Sequence, residues 1–211
     1  MARQLPAMAG PDTALIIVEC QQGVVGAQAV LPALAIEADP ILPVIRRLAV
    51  AARRAGVWVA HANYAPAIAG RARQPAGPLS DVTRAPTSTW TIDGPAVRTA
   101  VEIGVEPEDL VFCRRHGLSP AHGTELLPVL RSLGVEVVVV TGVSLNVAVT
   151  SVVLDAVNEG FRAVVPTDAV AGTPPDYARA MLRHTVGMLA TLTTADALTR
   201  WWAADATAAI G

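Results

Sequence analysis

Short β-branched runs recur along the chain, and three of them share one lead-in: a helical stretch followed by a glycine. The pattern appears as Ala51–Gly56 before Val57–His61, as Leu130–Gly134 before Val135–Thr141, and as Asp155–Gly160 before Phe161–Pro166. Glycine just past a helix supplies a left-handed C-terminal cap, and a run that is apolar on both faces reads as a buried strand. Helix alternating with strand predicts right-handed crossovers and a parallel sheet. Thr13–Val18 and Asp109–Cys113 fit as two further strands, and Ala190–Thr193 as a short sixth.

Between Pro40 and Ala55, Arg46, Arg47, Arg53 and Arg54 share one side while Ile41, Ile45, Leu48 and Ala52 share the other, which predicts an amphipathic helix lying on the sheet. Pro43 falls in its first turn, where a missing amide costs little. Thr194-Ala-Asp196 reads as the capped start of a last helix ending near Ala206. Asn63–Pro95 breaks the rhythm with five prolines, Pro66, Pro75, Pro78, Pro86 and Pro95, and reads as a long loop of the kind that forms lids or interface arms. The expected fold is a single domain over residues 1–211: a three-layer, Rossmann-like α/β architecture with a six-stranded, mostly parallel sheet and helices on both faces.

Composition narrows the function classes. Hydrophobic residues make up 52% of the 211 and charged residues only 16%, with no apolar run long enough to span a bilayer. Met1–Gly10 has no apolar signal region, so a cytoplasmic protein is expected, with no membrane partner. The apolar surplus points to burial in a homo-oligomer, a dimer or tetramer. Net charge is −2 and the basic residues are scattered, which argues against nucleic acid as a partner. All 16 basic residues are arginine, so no mechanism needing a lysine amine can operate. Cys20 and Cys113 lie in apolar strand-like segments, and no structural disulfide is expected. With no GxGxxG and no phosphate loop, no cofactor is expected.

Ligands of open parallel sheets bind beyond the carboxyl ends of the strands. Glu19 and Cys20 end the first strand, His61 and Asn63 the second, Cys113-Arg-Arg-His116 the third, and Thr141–Asn146 leads from the fourth into a helix. The last turn should leave amides around Asn146, Val147 and Ala148 facing the pocket, a setting that favours an anion or oxyanion. His61 reads as a satisfied core histidine, His122 as a cap or decoration of the helix starting near Thr124, and Trp201-Trp202 as packing or subunit contact.

The same segments resemble the isochorismatase-like hydrolases. Ala14–Gln21 is similar to their opening strand, which ends in Asp-x-Gln; Arg115–Thr124 resembles Lys-x-x-x-Ser-Ala-Phe-x-Gly-Thr; Thr141–Val149 resembles Thr-Gly-Val-Ala-Thr-Asn-Val-Cys-Val; Pro166–Ala169 resembles the Asp-Ala after their fifth strand. The likeness runs in order from about Asp12 to Leu198. Most of that family uses an Asp, Lys and Cys triad that passes through a thioester. Here the resemblance puts Glu19, Arg115 and Ala148 at those positions.

Alanine offers no nucleophile, and arginine does not shuttle protons at working pH. The Asp-x-His pair of the metal-binding branch is replaced by His61-Ala-Asn63, so no metal is expected. The resemblance then implies a cysteine-independent hydrolase for a small carboxylate-bearing metabolite. Glu19 would be the general acid/base, and Arg115 would grip the substrate carboxylate. His116, Ser144, Asn146 and Ala148 complete the expected contacts. The alternative is a catalytically silent pseudoenzyme that binds a small ligand or serves as a scaffold. A third reading moves the nucleophile to Cys20 or Cys113.

Overall fold

The computed structural model describes residues 10–66 and 77–208. In chain order these form β1 (Thr13–Val18), α1 (Gln22–Val25), α2 (Pro32–Ala38), α3 (Leu42–Arg54), β2 (Trp58–Tyr64), α4 (Pro78–Thr87) and β3 (Leu110–Arg114). Then follow α5 (Leu126–Ser132), β4 (Val137–Gly142), α6 (Thr150–Asn158), β5 (Arg162–Pro166), α7 (Pro175–Met181), α8 (Gly187–Leu189), β6 (Thr191–Thr193) and α9 (Ala195–Ala208).

The three helix–glycine–strand units close in one way. Gly56, Gly134 and Gly160 have φ of 70°, 82° and 88°. The amide after each reaches back five residues: Val57 to the Ala52 carbonyl, Val135 to Leu130, and Phe161 to Ala156. Such bonds satisfy orphaned helix carbonyls and turn the chain directly into a strand.

The strands form one sheet in the order β3-β2-β1-β4-β5-β6, and every pairing is parallel. The expectation of a mostly parallel sheet is thus sharpened to an all-parallel one among the described residues. Successive side chains of β1 alternate between two cores. Leu15 and Ile17 join Ile45 and Leu48 of α3 and Leu198 and Trp202 of α9. Ala14 and Ile16 join Leu126 and Leu130 of α5 and Val152 and Ala156 of α6. Each fully buried aliphatic side chain contributes about 1.5–3 kcal/mol, so two continuous cores suffice to hold a three-layer domain.

The ends of elements differ from the sequence reading by a few residues. β2 runs on to Tyr64 and β3 to Arg114. Asn63–Pro95 was expected to be a loop throughout, yet it contains α4; Pro78 starts this helix at a position where the missing amide is harmless. Pro75 lies outside the described residues. Thr194 accepts a hydrogen bond from the Ala197 amide (3.3 Å), as expected for a cap, and Asp168 accepts one from Ala195 (2.8 Å). The Asp-Ala after β5 therefore fixes the start of α9.

The chain adds β2 and β3 on one side of β1, then returns to place β4 on the other. Strand order reverses between β1 and β4, and a crevice opens beyond their carboxyl ends. The two ends approach closely. A Cβ at Gly142 (φ 101°) would stand 2.2 Å from the Val18 carbonyl oxygen, so only glycine fits.

Candidate active site

Glu19 follows β1 directly, and its φ of 48° puts it in the left-handed region, uncommon for a residue with a side chain. Its amide donates to the Ala62 carbonyl (2.9 Å), fixing this turn at the reversal point. Arg114, the last residue of β3, extends over the ends of β2 and β1 to meet it. Arg114 Nε and Nη2 both donate to Glu19 Oε1, at 3.1 and 2.6 Å, and Nη1 donates to the Gly117 carbonyl at 2.5 Å. The guanidinium also lies 4.1 Å above the Tyr64 ring centroid, a cation–π contact. Glu19 Oε2 accepts no hydrogen bond among the described residues, and Glu19 lines a cavity of about 230 Å³.

Gln21 supports this arrangement from below. Fully buried, it donates to the carbonyls of Tyr64 (2.8 Å) and Ala96 (3.1 Å) and accepts from the Tyr64 amide (2.6 Å). The glutamine of the Glu19-Cys20-Gln21 motif thus ties the exit of β1 to the end of β2, where Tyr64 carries Arg114.

Ser144, Asn146 and Ala148 line the same cavity as Glu19. Arg115 and His116 do not: they line a neighbouring hollow with Gly123 and Glu125. The sequence reading paired Glu19 with Arg115, and the structure pairs it with Arg114. The reason is strand alternation. Leu110 and Phe112 pack on the same core cluster as β1's Ile16, and Arg114 keeps their parity, whereas Arg115 comes after the strand has ended. The anion grip assigned to Arg115 therefore has no place in the cavity.

The turn after β4 also differs from expectation. Leu145–Val149 is a π-helical turn, a local form common at functional sites. The Val147 amide donates to the Ser144 carbonyl (3.1 Å), so it does not face the cavity as a free donor. Asn146 Nδ2 donates to the Thr173 carbonyl (2.8 Å), while its Oδ1 is buried without a partner and packs on Gly172. Asn146 thus ties the turn to the loop before α7.

Over the opening lies α4, whose Leu79, Ser80, Thr83 and Thr87 line the cavity. Thr83 and Thr87 donate their hydroxyls back to the Leu79 (3.0 Å) and Thr83 (2.9 Å) carbonyls. Trp90 adds an aromatic wall and meets Tyr64 edge to face at 6.3 Å. Asn63–Pro95, expected to be a loop of the kind that forms lids or interface arms, thus lines the cavity with a helix that its prolines masked in the sequence.

Neither cysteine stands ready as a nucleophile. Burial, then the adjacent charge of Glu19, pushes the Cys20 thiol up to about 12. Cys113 is also raised, first by burial, and lines a separate hollow with Asn63 and Thr99. Both thiols are free. No cluster of three or more metal-ligating side chains occurs among the described residues. No described helix is long and apolar enough to cross a membrane.

A second charged centre lies at the other end of β3. Asp109 accepts from Arg53 Nε (3.0 Å) at Oδ1, and from Arg53 Nη2 (2.6 Å), His61 Nε2 (3.0 Å) and the Glu106 amide (3.0 Å) at Oδ2. Burial opposes the charge on Asp109, but these bonds together outweigh it and hold the carboxyl below its usual range. Burial, only partly offset by Asp109, depresses His61. A carboxylate at Nε2 fixes the proton there and leaves Nδ1 to accept from the Thr99 hydroxyl (3.3 Å). His61 is the satisfied core histidine that the sequence suggested; its partner Asp109 carried no sequence signal beyond its place before a strand.

An all-parallel α/β sheet with a cavity at its reversal point, a strand-end carboxylate and a cation from the third strand is an architecture that binds small ligands beyond its strand ends. The family model for the isochorismatase domain matches residues 13–197. The chain belongs to the isochorismatase family. Among solved structures it is similar to a cysteine hydrolase from Pseudomonas syringae pv. phaseolicola 1448A, with 23% identity over 97% of this chain and 99% of that one and a TM-score of 0.79. An isochorismatase family protein from Burkholderia thailandensis shares 24% identity over 93% and 99% of the two chains, with a TM-score of 0.74. N-carbamoylsarcosine amidase from Thermoplasma acidophilum shares 23% over 88% and 97%, with a TM-score of 0.69. At these identities the likeness speaks for the fold. No curated protein matches the sequence.

Proposed function

We propose that this chain is an isochorismatase-family hydrolase that works without a cysteine nucleophile, with Glu19 as its general acid/base. The observation that carries the reading is the asymmetry of Glu19: Oε1 is held by two Arg114 donors while Oε2 is left to the cavity. In the proposed step, Oε2 takes a proton from water as the water oxygen bonds to the substrate carbon. The same proton then passes to the leaving heteroatom as its bond to carbon breaks. Arg114 cannot move protons at working pH, so its role is to orient the carboxylate.

Two further observations support independence from cysteine. Ala148 lines the cavity at the position that the resemblance gives to a nucleophile. Cys20 is fully buried with its thiol pushed up to about 12, which leaves almost no thiolate near neutrality. The proposal also takes the chain as a cytoplasmic homo-oligomer, supported by its apolar composition and its two free cysteines. A second reading, a catalytically silent small-ligand binder, is favoured by Ala148 itself, since the family's usual covalent route is closed.

The test is turnover of a panel of small amides, esters and vinyl ethers, followed by mass spectrometry, for wild type and Glu19→Gln. Wild type converts at least one compound, and Glu19→Gln lowers kcat by about 100-fold or more while the unfolding temperature stays within a few degrees. An unchanged rate in Glu19→Gln removes Glu19 from the chemistry. Ligand-dependent stabilisation with no product from any compound establishes the silent reading instead.

A further inference from the structure

Among the described residues, the cavity is lined by one charged pair, Glu19 and Arg114, and that pair neutralises itself. Arg114 donates Nε and Nη2 to Glu19 Oε1 and Nη1 to Gly117, so its bond-forming face is directed at groups of the protein. Arg115 and His116, which follow Arg114 in this loop, line a different hollow. Among the described residues, an anion entering the cavity would leave water and meet a carboxylate whose counter-charge is already engaged, a costly exchange.

The remaining described walls are mostly apolar, and Ser80, Ser144, Asn146 and Thr173 add polar side chains to them. Val24, Leu31 and Leu34 form one side, and Leu79 and Trp90 another. Thr83 and Thr87 face the same space, but their hydroxyl protons are bonded to carbonyls of their own helix. Leu79 remains 40% exposed and Leu118 43%, so both retain apolar surface that a ligand can cover. A volume of about 230 Å³ suits a compound smaller than a drug-sized ligand. One polar end, with a Glu19 Oε2 that accepts no hydrogen bond among the described residues, and a mostly apolar interior together describe the ligand.

We infer that this site takes an uncharged compound: a small head bearing an N–H or O–H donor on an apolar, aromatic or branched body, rather than a carboxylate. The inference rests on the hydrolase reading for which oxygen meets the head. The donor would bond to Glu19 Oε2, and the body would lie between α2 and α4. Selectivity thus arises from two terms: exclusion of anions by the self-neutralised pair, and recognition of the body by Leu34, Leu79 and Trp90.

Three probes separate these terms in calorimetric titrations of the full chain: phenylacetamide (uncharged, with body), phenylacetate (anionic, same body) and acetamide (uncharged, no body). Phenylacetamide is expected to bind about ten-fold or more tightly than either of the others, since burial of a ring exceeds that margin. Leu79→Asp, at a partly exposed position that tolerates charge, is expected to weaken phenylacetamide by at least about ten-fold. Phenylacetate binding as tightly as phenylacetamide, no gain from the ring, no binding of any probe, or wild-type affinity in Leu79→Asp each overturns the inference. Mass spectrometry of the probes recovered from each titration separates binding from turnover. Glu19-dependent hydrolysis confined to anionic compounds would sink the ligand class and keep the hydrolase. Preferred phenylacetamide binding with no hydrolysis of the panel would do the reverse.

Discussion

The two carboxylate–arginine centres flanking β3 use the same chemistry to different ends. At the amino end, Asp109 has both oxygens occupied, by Arg53, His61 and the Glu106 amide. At the carboxyl end, Glu19 lines a cavity with one oxygen doubly occupied and the other accepting no hydrogen bond among the described residues. Burial alone does not separate them, since the Asp109 side chain is 1% exposed and that of Glu19 13%. Saturation does. A carboxylate whose two oxygens are both engaged by protein donors serves to hold the fold together, whereas one with an oxygen that no described residue engages, beside a cavity, can bind or transfer a proton.

The sharpest way to break this contrast is to remove each carboxylate in turn. Asp109→Ala leaves a half-buried arginine, a buried histidine and an amide without their acceptor, and should cost about 3–5 kcal/mol in urea unfolding. Activity per folded molecule should be unchanged in that variant at low temperature. Glu19→Gln should show the opposite pattern, as described above, with activity lost and stability kept. If Asp109→Ala reduced kcat as much as stability, the division between a structural and a chemical centre would fail.

Acid provides a second, smaller test of the structural centre. Folding depresses His61, mainly through burial, so below its ordinary value of 6.5 the unfolded chain binds a proton that the folded chain refuses. Protonation therefore favours unfolding, and this contribution to stability is present above about pH 6.5 and declines as the pH falls through it. Asp109 acts in the same direction at lower pH: its depressed carboxyl stabilises the fold above its ordinary value of 3.8, and that stability is lost as the pH falls below it. Urea midpoints at pH 7.5 and 5.5 should differ in wild type, with the lower at pH 5.5. In His61→Gln, which retains a donor for Asp109, the difference should shrink. An equal difference in both proteins would show that another group governs this limb.

The contrast also explains which parts of the molecule could be read in advance. The glycine caps at Gly56, Gly134 and Gly160 are local: one residue past each helix must adopt positive φ, and the sequence announces it. Glu19, Ser144, Asn146 and Ala148 were reachable because they follow β1 and β4, the strands with the clearest apolar runs. The Asp109 centre was not, since it joins α3, β2 and β3 across separations of 48 and 56 residues that no local pattern encodes. Helix α4 was hidden because Pro78 and Pro86 signal a break, although the first sits where a helix tolerates it and the second near its end.

Arg114 and Arg115 give the smallest and most discriminating case. Both follow Cys113, and a resemblance at the level of spacing favoured Arg115. Side chains on a strand alternate, so a one-residue shift reverses the face presented. Phe112 belongs to the core shared with Ile16 and Ala62, and Arg114 two residues on lies opposite Tyr64 in the β2–β3 register. That parity was available in Leu110, Phe112 and Arg114, had the strand been extended by one residue. Arg115→Ala should therefore change kcat/KM by less than about two-fold, the range of a surface substitution. Arg114→Ala should lower kcat through loss of the held Glu19 oxygen, and Arg114→Lys should recover only part of it, because an ammonium cannot reproduce the two-point grip on Oε1. If Arg115→Ala proved the more damaging of the two, the register that builds the site would be the wrong one.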